Sequence, residues 1–320
     1  MTEYEVVRDG GAGLIDLSLR RGRIRVSGSE ATTFLNGLIT NDVRNLAQNR
    51  WIPAVFPTVQ GRLIGAVRVI RGSEPDLLID TETASHEAVL KTVSRFTLAG
   101  DFKVSDVTSE TALLSLQGQG AAEMLQKVLD QAVSDLPENG VVQTTWQNVP
   151  VTIIRASHTG EGGFDLFIDA SRKAELQQTL EDAGAQPVGE DTFEILRVEA
   201  GIARFGVDMD ETNVVPETNL DDAVSYTKGC YVGQEIIVRI KHRGHPAKKL
   251  AKLRFETDQQ IEPGAVIRSK ENQEIGRVTS AVISPRLGSI GLGYVRYEHL
   301  ADGPRVVVGD GIEALVGVDG

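Results

Sequence analysis

A chain of 320 residues is longer than the roughly 250–300 residues at which a single hydrophobic core stops growing, so two or three domains are expected. Its hydrophobic content of 41% and charged content of 24% are ordinary for a globular protein, and no apolar run approaches the roughly 20 residues that span a bilayer. The net charge of -12 argues against a large nucleic-acid surface, because neutralising phosphates needs clustered Lys and Arg.

The start of the chain and its cysteine content indicate a cytoplasmic protein. Residues Met1 to Glu5 are acidic and lack the apolar core of a signal peptide. The single cysteine cannot form an intramolecular disulfide, which fits a reducing compartment.

The hydrophobic pattern predicts two rounds of strands and helices. Leu14 to Val26 predicts a strand pair that turns around Arg21-Gly22. The remaining elements of the two rounds are a helix capped by Ser29, hairpin strands at 63–70 and 76–80, a helix from Ser85 to about Phe96, a strand at 111–116, a helix at 121–129, strands at 149–156 and 164–168, and a helix at 171–183. Strand pairs interleaved with short helices predict α+β layers.

The last seventy or so residues show a different pattern. From Leu250 onward, six short strand-like runs are separated by turn residues, with no helical periodicity. This spacing predicts a small antiparallel β-barrel.

The most informative motif surrounds the only cysteine and reads Lys228-Gly229-Cys230-Tyr231-Val232-Gly233-Gln234-Glu235. A thiolate is favoured by a nearby lysine and by a helix N-terminus, and the residues after Gly233 predict a short helix. An isolated cysteine is usually an inert, buried small hydrophobe. The surrounding motif instead favours a functional thiol at Cys230 with Lys228 beside it.

This octapeptide resembles the signature of the YgfZ-type folate-binding proteins, which are relatives of the glycine cleavage T-protein (aminomethyltransferase). Other motifs shared with the T-protein occur in the same order along most of the chain. They are Thr40-Asn41-Asp42-Val43, Thr159-Gly160-Glu161-Gly162-Gly163-Phe164, Arg197-Val198-Glu199-Ala200-Gly201, Gly206-Val207-Asp208-Met209, Gly276-Arg277-Val278-Thr279-Ser280 and Gly293-Tyr294-Val295. Only the cysteine octapeptide is specific to the YgfZ-type branch.

The resemblance implies an α+β protein whose three domains form a ring around a central folate site. The expected divisions are 1–110 and 111–246 for two α+β domains, which can be discontinuous and interleaved, and 247–320 for the barrel. It also implies that tetrahydrofolate or a one-carbon derivative binds. The implied role is that of a monomeric accessory protein in iron–sulfur cluster assembly or repair, and through it in tRNA modification. Iron–sulfur proteins or their assembly machinery are the implied partners, with neither a membrane nor direct nucleic-acid contact.

Glu199 is the principal candidate for folate recognition, because a pterin ring needs a carboxylate that accepts from its N–H groups. The resemblance places Glu199 at the T-protein position that holds the pterin. The residue types and their spacing alone instead favour a helix glutamate that pairs with Arg197 or Arg204. Replacing Glu199 with alanine is therefore expected to weaken folate binding without changing the melting temperature. Glu161, in a glycine-rich hairpin loop, and Asn41 are secondary candidates.

The remaining candidates lie in and after the cysteine motif. Gln234 and Glu235 can orient a ligand by hydrogen bonds, and Tyr231 is assigned with them to the folate site. Arg239 begins a basic segment that can clamp the folate tail. Within that segment His242 and His245 have a metal-chelating spacing, but no carboxylate or cysteine joins them, so no metal site is predicted.

One expected carboxylate is missing. The resemblance implies an aspartate pair after a glycine and an apolar pair, where one carboxylate works beside the reacting folate nitrogen. The matching run here ends in Gly65-Ala66, and neither side chain can carry a charge. The sequence therefore predicts a protein that is not an aminomethyltransferase, with aminomethyl transfer to tetrahydrofolate as the alternative function.

Overall fold

The computed structural model describes residues 1–95, 100–300 and 305–317. The helices are α1 (Glu3–Arg8), α2 (Ala31–Leu38), α3 (Thr83–Ser94), α4 (Ala121–Leu129), α5 (Lys173–Asp182), α6 (Glu190–Ala200) and α7 (Gln234–Arg243). The strands are β1 (Gly13–Asp16), β2 (Arg21–Ser27), β3 (Arg50–Pro57), β4 (Leu63–Arg71), β5 (Leu77–Glu82), β6 (Lys103–Asp106), β7 (Thr111–Gln117), β8 (Val141–Trp146), β9 (Val149–Arg155), β10 (Gly163–Asp169), β11 (Gln186–Pro187), β12 (Lys248–Phe255), β13 (Val266–Arg268), β14 (Glu274–Ser284), β15 (Gly288–Arg296), β16 (Arg305–Val308) and β17 (Ile312–Val316). Phe96, expected near the end of α3, lies outside the described residues. No helix in the described ranges is long and apolar enough to cross a membrane.

Sheet 1 has the strand order β3-β4-β5-β2-β6 and is antiparallel. Helices α2 and α3 cover one face, where Leu35 and Val89 share a core with Ala54 and Phe56 of β3. Side chains alternate between the faces of a strand, so Val55 points to the other face. There it packs against the later chain segment that runs from Phe205 to Ile237. This second face therefore supports the cysteine motif.

Sheet 2 has the strand order β11-β1-β7-β10-β9-β8 and carries α4 and α5 on its core face. Strand β1 belongs to this sheet, paired with β7 and β11, whereas β2 pairs with β5 and β6 of sheet 1. The predicted pairing of the two strands around Arg21-Gly22 is therefore wrong. The pattern located both strands, but each finds its partners in residues far along the chain.

This crossing interleaves the two α+β domains. The first 17 residues pack with sheet 2, and the segment from Phe205 to Ile237 packs on sheet 1. A boundary at residue 110 follows the order of residues along the chain. In space, each α+β domain also contains a segment from the other side of residue 110.

The C-terminal unit is a closed barrel with the strand order β12-β15-β14-β13-β16-β17. Its six strands and antiparallel pairing confirm the predicted small barrel. Leu253, Ile267, Val295 and Val308 fill its interior. Closure gives each described barrel strand a partner on both sides.

Each pair of domains is joined by polar contacts. Arg68 of β4 binds Asp165 of β10 at 2.6 Å and so links the two sheets. Arg197 of α6 donates to Ser280 of the barrel at 2.9 Å. Lys249 of the barrel lies 3.5 Å from Asp221, which belongs to the segment covering sheet 1. The three units therefore contact one another in all three combinations.

Candidate functional site

The cysteine motif is a loop bound to the end of α2. The main-chain N–H of Val232 donates to Gly37 at 3.1 Å, and that of Ser225 donates to Thr40 at 3.0 Å. The hydroxyl of Thr40 in turn donates to the carbonyl of Ala223 at 2.6 Å. These bonds hold both ends of the loop, and Cys230 lies exposed between them.

Lys228 anchors this loop from inside. Its ammonium is buried and donates to the main-chain carbonyls of Asn36, Ile39 and Asn41 at 2.6, 2.9 and 2.6 Å. Burial lowers the pKa of Lys228 to about 8. The carbonyls at a helix C-terminus lack intrahelical partners, and Lys228 supplies donors to this end of α2. All three ammonium hydrogens are thereby used in holding the loop.

Tyr231 and Gly233 fix the end of the loop. Tyr231 is buried, with its ring 5.1 Å from the Lys228 ammonium, and burial raises the pKa of its hydroxyl to about 12. Within the described residues this hydroxyl has no hydrogen-bond partner. Gly233 has φ of +76°, and a Cβ there would lie 2.4 Å from the carbonyl oxygen of Thr58, so only glycine fits.

Helix α7 begins at Gln234, directly after this glycine, as the sequence predicts. Ile237 is its fully buried anchor on the sheet 1 face. Gln234 is half-buried, while Glu235 and Arg239 are exposed. These three side chains lie on the surface next to the cysteine loop, where their assignment to a folate site stays a prediction.

Asn41 is brought to the cysteine loop but is used within the structure. Its side-chain amide donates to the carbonyls of Pro53 at 2.7 Å and Asp222 at 2.9 Å. Its own main-chain carbonyl receives the Lys228 ammonium. Asn41 therefore joins β3, the end of α2 and the segment that leads to Cys230.

Glu199 lies in a different place, at the end of α6 between α1 and the barrel. Its carboxylate is 5% exposed and accepts from the hydroxyl of Tyr4 at 2.7 Å, the hydroxyl of Ser284 and the guanidinium of Arg8. Glu199 pairs with neither Arg197 nor Arg204, the partners expected from residue type and spacing alone. We call Glu199, Glu161 and the Thr159 carbonyl the acceptor cluster.

Arg8 occupies this acceptor cluster. Besides Glu199, its guanidinium donates to Glu161 and to the carbonyl of Thr159, each at 3.0 Å. Glu161 and Glu199, predicted separately, thus meet around one cation. Sequence reasoning missed Arg8 because it lies outside every motif and pairs with residues more than 150 positions away.

The structure does not bring the acceptor cluster and Cys230 into contact. The cluster lies between α1, the 157–163 loop and the turn after β14, whereas the cysteine loop lies on α2 and sheet 1. A cavity of about 80 Å³ between the two α+β domains is lined by Arg20, Glu82, His158 and Phe193 among others. That volume holds two or three water molecules and is smaller than a pterin ring.

Gly65 and Ala66 occupy opposite faces of β4. A Cβ on Gly65 would lie 2.7 Å from Val89 and 2.8 Å from Ser85 of α3, so no side chain fits there. Ala66 packs on the other face, in the cluster that contains Tyr231. A carboxylate in this stretch would reach the cysteine-loop face only from position 66.

Comparison with known families accounts for nearly the whole chain. The GCVT N-terminal domain family matches residues 1–228, and the glycine cleavage T-protein C-terminal barrel domain family matches residues 248–314. The aminomethyltransferase of Rubrobacter xylanophilus is 32% identical over 295 residues, covering 92% of this chain and 78% of that protein. The aminomethyltransferase of Thermotoga neapolitana is 31% identical over 291 residues, covering 88% and 78%.

The fold is also found in a solved structure. The glycine cleavage system aminomethyltransferase T from Bartonella henselae superposes with a TM-score of 0.90, covering 99% of this chain and 87% of that chain at 24% identity. This likeness concerns the fold and confirms the predicted arrangement of two α+β domains with a C-terminal barrel. The two family matches show that the chain belongs to the glycine cleavage T-protein family.

Proposed function

We propose that this protein binds tetrahydrofolate or a one-carbon derivative and acts as an accessory in iron–sulfur cluster assembly or repair, and through it in tRNA modification. Cys230 is its functional thiol. The observation that carries the proposal is the exposed position of this sole cysteine on a loop fixed by the buried Lys228. The YgfZ-type octapeptide around Cys230 supports the same function.

The acceptor cluster fits one edge of a folate. A pterin presents an amino group and a neighbouring ring N–H in one plane, and carboxylates accept such donor pairs. Glu199, Glu161 and the Thr159 carbonyl already hold a planar, N–H-rich guanidinium from Arg8. When bound, folate supplies the one-carbon chemistry, and these residues hold its ring.

The thiol suits chemistry with iron. A cysteine thiolate is a soft ligand of the kind found in iron–sulfur clusters, and exposure gives a partner protein access to it. Lys228 acts as a positioning residue, since its ammonium hydrogens are directed to the α2 carbonyls. Its task is to hold the loop in one conformation.

Aminomethyl transfer is the second candidate, and the names of the relatives favour it. The side chains of β4 argue against it, because Gly65 and Ala66 offer no carboxylate for proton transfer. Loss of a positioned acid–base group usually costs about 10²–10⁴ in rate. Incubation with tetrahydrofolate and an aminomethyl-lipoyl carrier is expected to give no methylene transfer above background.

The decisive experiment uses cells that lack this protein. A wild-type copy is expected to restore the activity of iron–sulfur enzymes, and a Cys230→Ser copy is expected to fail at equal protein level. Thr227→Ala, an exposed change in the same loop, is the matched control and should restore activity. Full restoration by Cys230→Ser would contradict the role assigned to the thiol, and methylene transfer at an ordinary enzymatic rate would replace this proposal with the second candidate.

A further inference from the structure

The acceptor cluster is closed by a residue of the N-terminal helix. Arg8 lies at the end of α1 and places a flat guanidinium between Glu199, Glu161 and the Thr159 carbonyl. One guanidinium nitrogen serves Glu161 and the carbonyl, and the other serves Glu199. Arg8 thus fills acceptors that a ligand with a similar donor edge would need.

A pterin edge and a guanidinium edge are chemically alike. Each presents coplanar N–H groups on neighbouring nitrogens, and each can bind a carboxylate through two parallel hydrogen bonds. Both cannot occupy Glu199 at once. We propose that α1 is a displaceable latch: Arg8 covers the acceptor cluster in the free protein, and binding of the pterin moves Arg8 and α1 aside. This inference rests on the proposed folate binding.

The position of Glu199 shows that it depends on donors from outside its own helix. It is the penultimate residue of α6, where a negative charge is unfavourable beside the helix C-terminus. Buried there, the carboxylate must be matched by donors, and Arg8, Tyr4 and Ser284 provide them. Tyr4 and Arg8 both belong to α1, so the latch supplies most of the donors.

The attachment of α1 is suited to opening. The helix has only six residues, and a helix this short has little stability of its own. An exposed ion pair from Asp9 to Arg286 at 2.5 Å ties its end to the barrel. The Nε of Arg8 is buried and has no hydrogen-bond partner among the described residues, so the closed latch leaves one donor unsatisfied. Tyr4, Val6 and Val7 are the buried residues of this helix, so opening exposes these three side chains.

Hydrogen exchange on the wild-type protein tests the latch directly. The amides of Asp9 and Gly11 donate within this segment, to Glu5 at 2.7 Å and to Val6 at 2.9 Å. With saturating tetrahydrofolate, these amides are expected to exchange at least about tenfold faster than in the free protein. Slower or unchanged exchange there, in protein shown to bind tetrahydrofolate, would overturn the latch.

Variants provide a second test by calorimetry. Arg8→Ala is expected to bind tetrahydrofolate about tenfold more tightly, because the binding-competent state no longer competes with the latch. Arg286→Ala removes the ion pair that holds α1 to the barrel but leaves the acceptor cluster intact, so it should increase the affinity for tetrahydrofolate by less than Arg8→Ala does. Arg305→Ala removes two comparably exposed ion pairs, to Glu256 and Glu313 within the barrel, and should leave the affinity for tetrahydrofolate unchanged.

The outcomes separate the latch from the proposed function. Weaker or equal binding by folded Arg8→Ala would overturn the latch and leave folate binding standing. If Arg8→Ala does not fold, Arg286→Ala and the exchange measurement decide the question. Tetrahydrofolate binding by neither the wild type nor any variant would overturn both proposals.

Discussion

The ammonium of Lys228 lies 2.6 Å from the main-chain oxygen of Asn41, although the two residues are 187 positions apart in the chain. This contact joins two motifs that the sequence presents separately. It shows why a lysine precedes the cysteine by two positions. The lysine secures the loop to the end of α2, and the cysteine stays exposed.

Lys228→Met should therefore destabilise the fold. The change leaves two buried carbonyls and one partly buried carbonyl without their donor, at an expected cost of about 3 kcal/mol in the free energy of unfolding. Urea denaturation measures it, with Lys103→Met as the control, since Lys103 is exposed on β6. Equal midpoints for the two variants would contradict the anchoring role.

Cys230 should react in the native state and be dispensable for folding. The thiol is exposed, and it is the only one in the chain, so a thiol reagent reports on it alone. One equivalent of a disulfide reagent should be consumed without denaturant. Cys230→Ser should change the free energy of unfolding by less than about 0.5 kcal/mol. Labelling only in urea would show that the thiol is protected.

The buried contacts of Glu199 predict that its replacement lowers the melting temperature, in contrast to the expectation from the sequence alone. Glu199→Ala would strip Arg8 of a buried partner, and breaking one side of a buried ion pair costs about 3–5 kcal/mol. Glu199→Gln keeps an acceptor and should cost less. A melting scan of both variants checks the order, and two unchanged melting temperatures would contradict the buried pair.

The sequence predicted those features that depend on local pattern. The six barrel strands follow from short apolar runs between turn residues, and α7 follows from the three isoleucines after Gly233. The glycine is needed there because its backbone is left-handed and close to Thr58. These signals lie within a few residues of the element that they predict.

Long-range pairing could not be predicted in the same way. Strand β1 is assigned to sheet 2 by β7 and β11, about one hundred and more residues later. Arg8 and Glu199 are likewise far apart in the chain, and no motif near Arg8 indicates that the two residues are in contact. The structure also divides the folate candidates between two places: Glu161 and Glu199 contact Arg8, whereas Asn41 contacts Lys228 of the cysteine loop.

The ion pair between Arg68 of sheet 1 and Asp165 of sheet 2 should make the free energy of unfolding depend on pH. Burial by itself raises the pKa of Asp165, but His158 and Arg68 facing the carboxylate outweigh it and lower the pKa below its ordinary value. The unfolded chain then binds more protons than the folded one as the pH falls below about 4, so stability is lost in that direction. Asp165→Asn should be less stable at pH 7, and its difference from wild type should shrink towards pH 2.5. A constant difference in urea midpoints over this range would contradict the assignment.

Aspartates introduced at positions 65 and 66 should have unequal effects. At Gly65 the new side chain would collide with Val89 and Ser85 and bury an unpaired charge, so Gly65→Asp should lower the free energy of unfolding by more than about 3 kcal/mol. Ala66 is half-buried on the opposite face, and Ala66→Asp should cost clearly less. Urea denaturation compares the two variants, with Gly65→Ala separating the steric effect from the charge. If both aspartates cost the same, the two positions do not face opposite sides of β4. In that case the lack of a carboxylate at position 66 could no longer be used to argue against aminomethyl transfer.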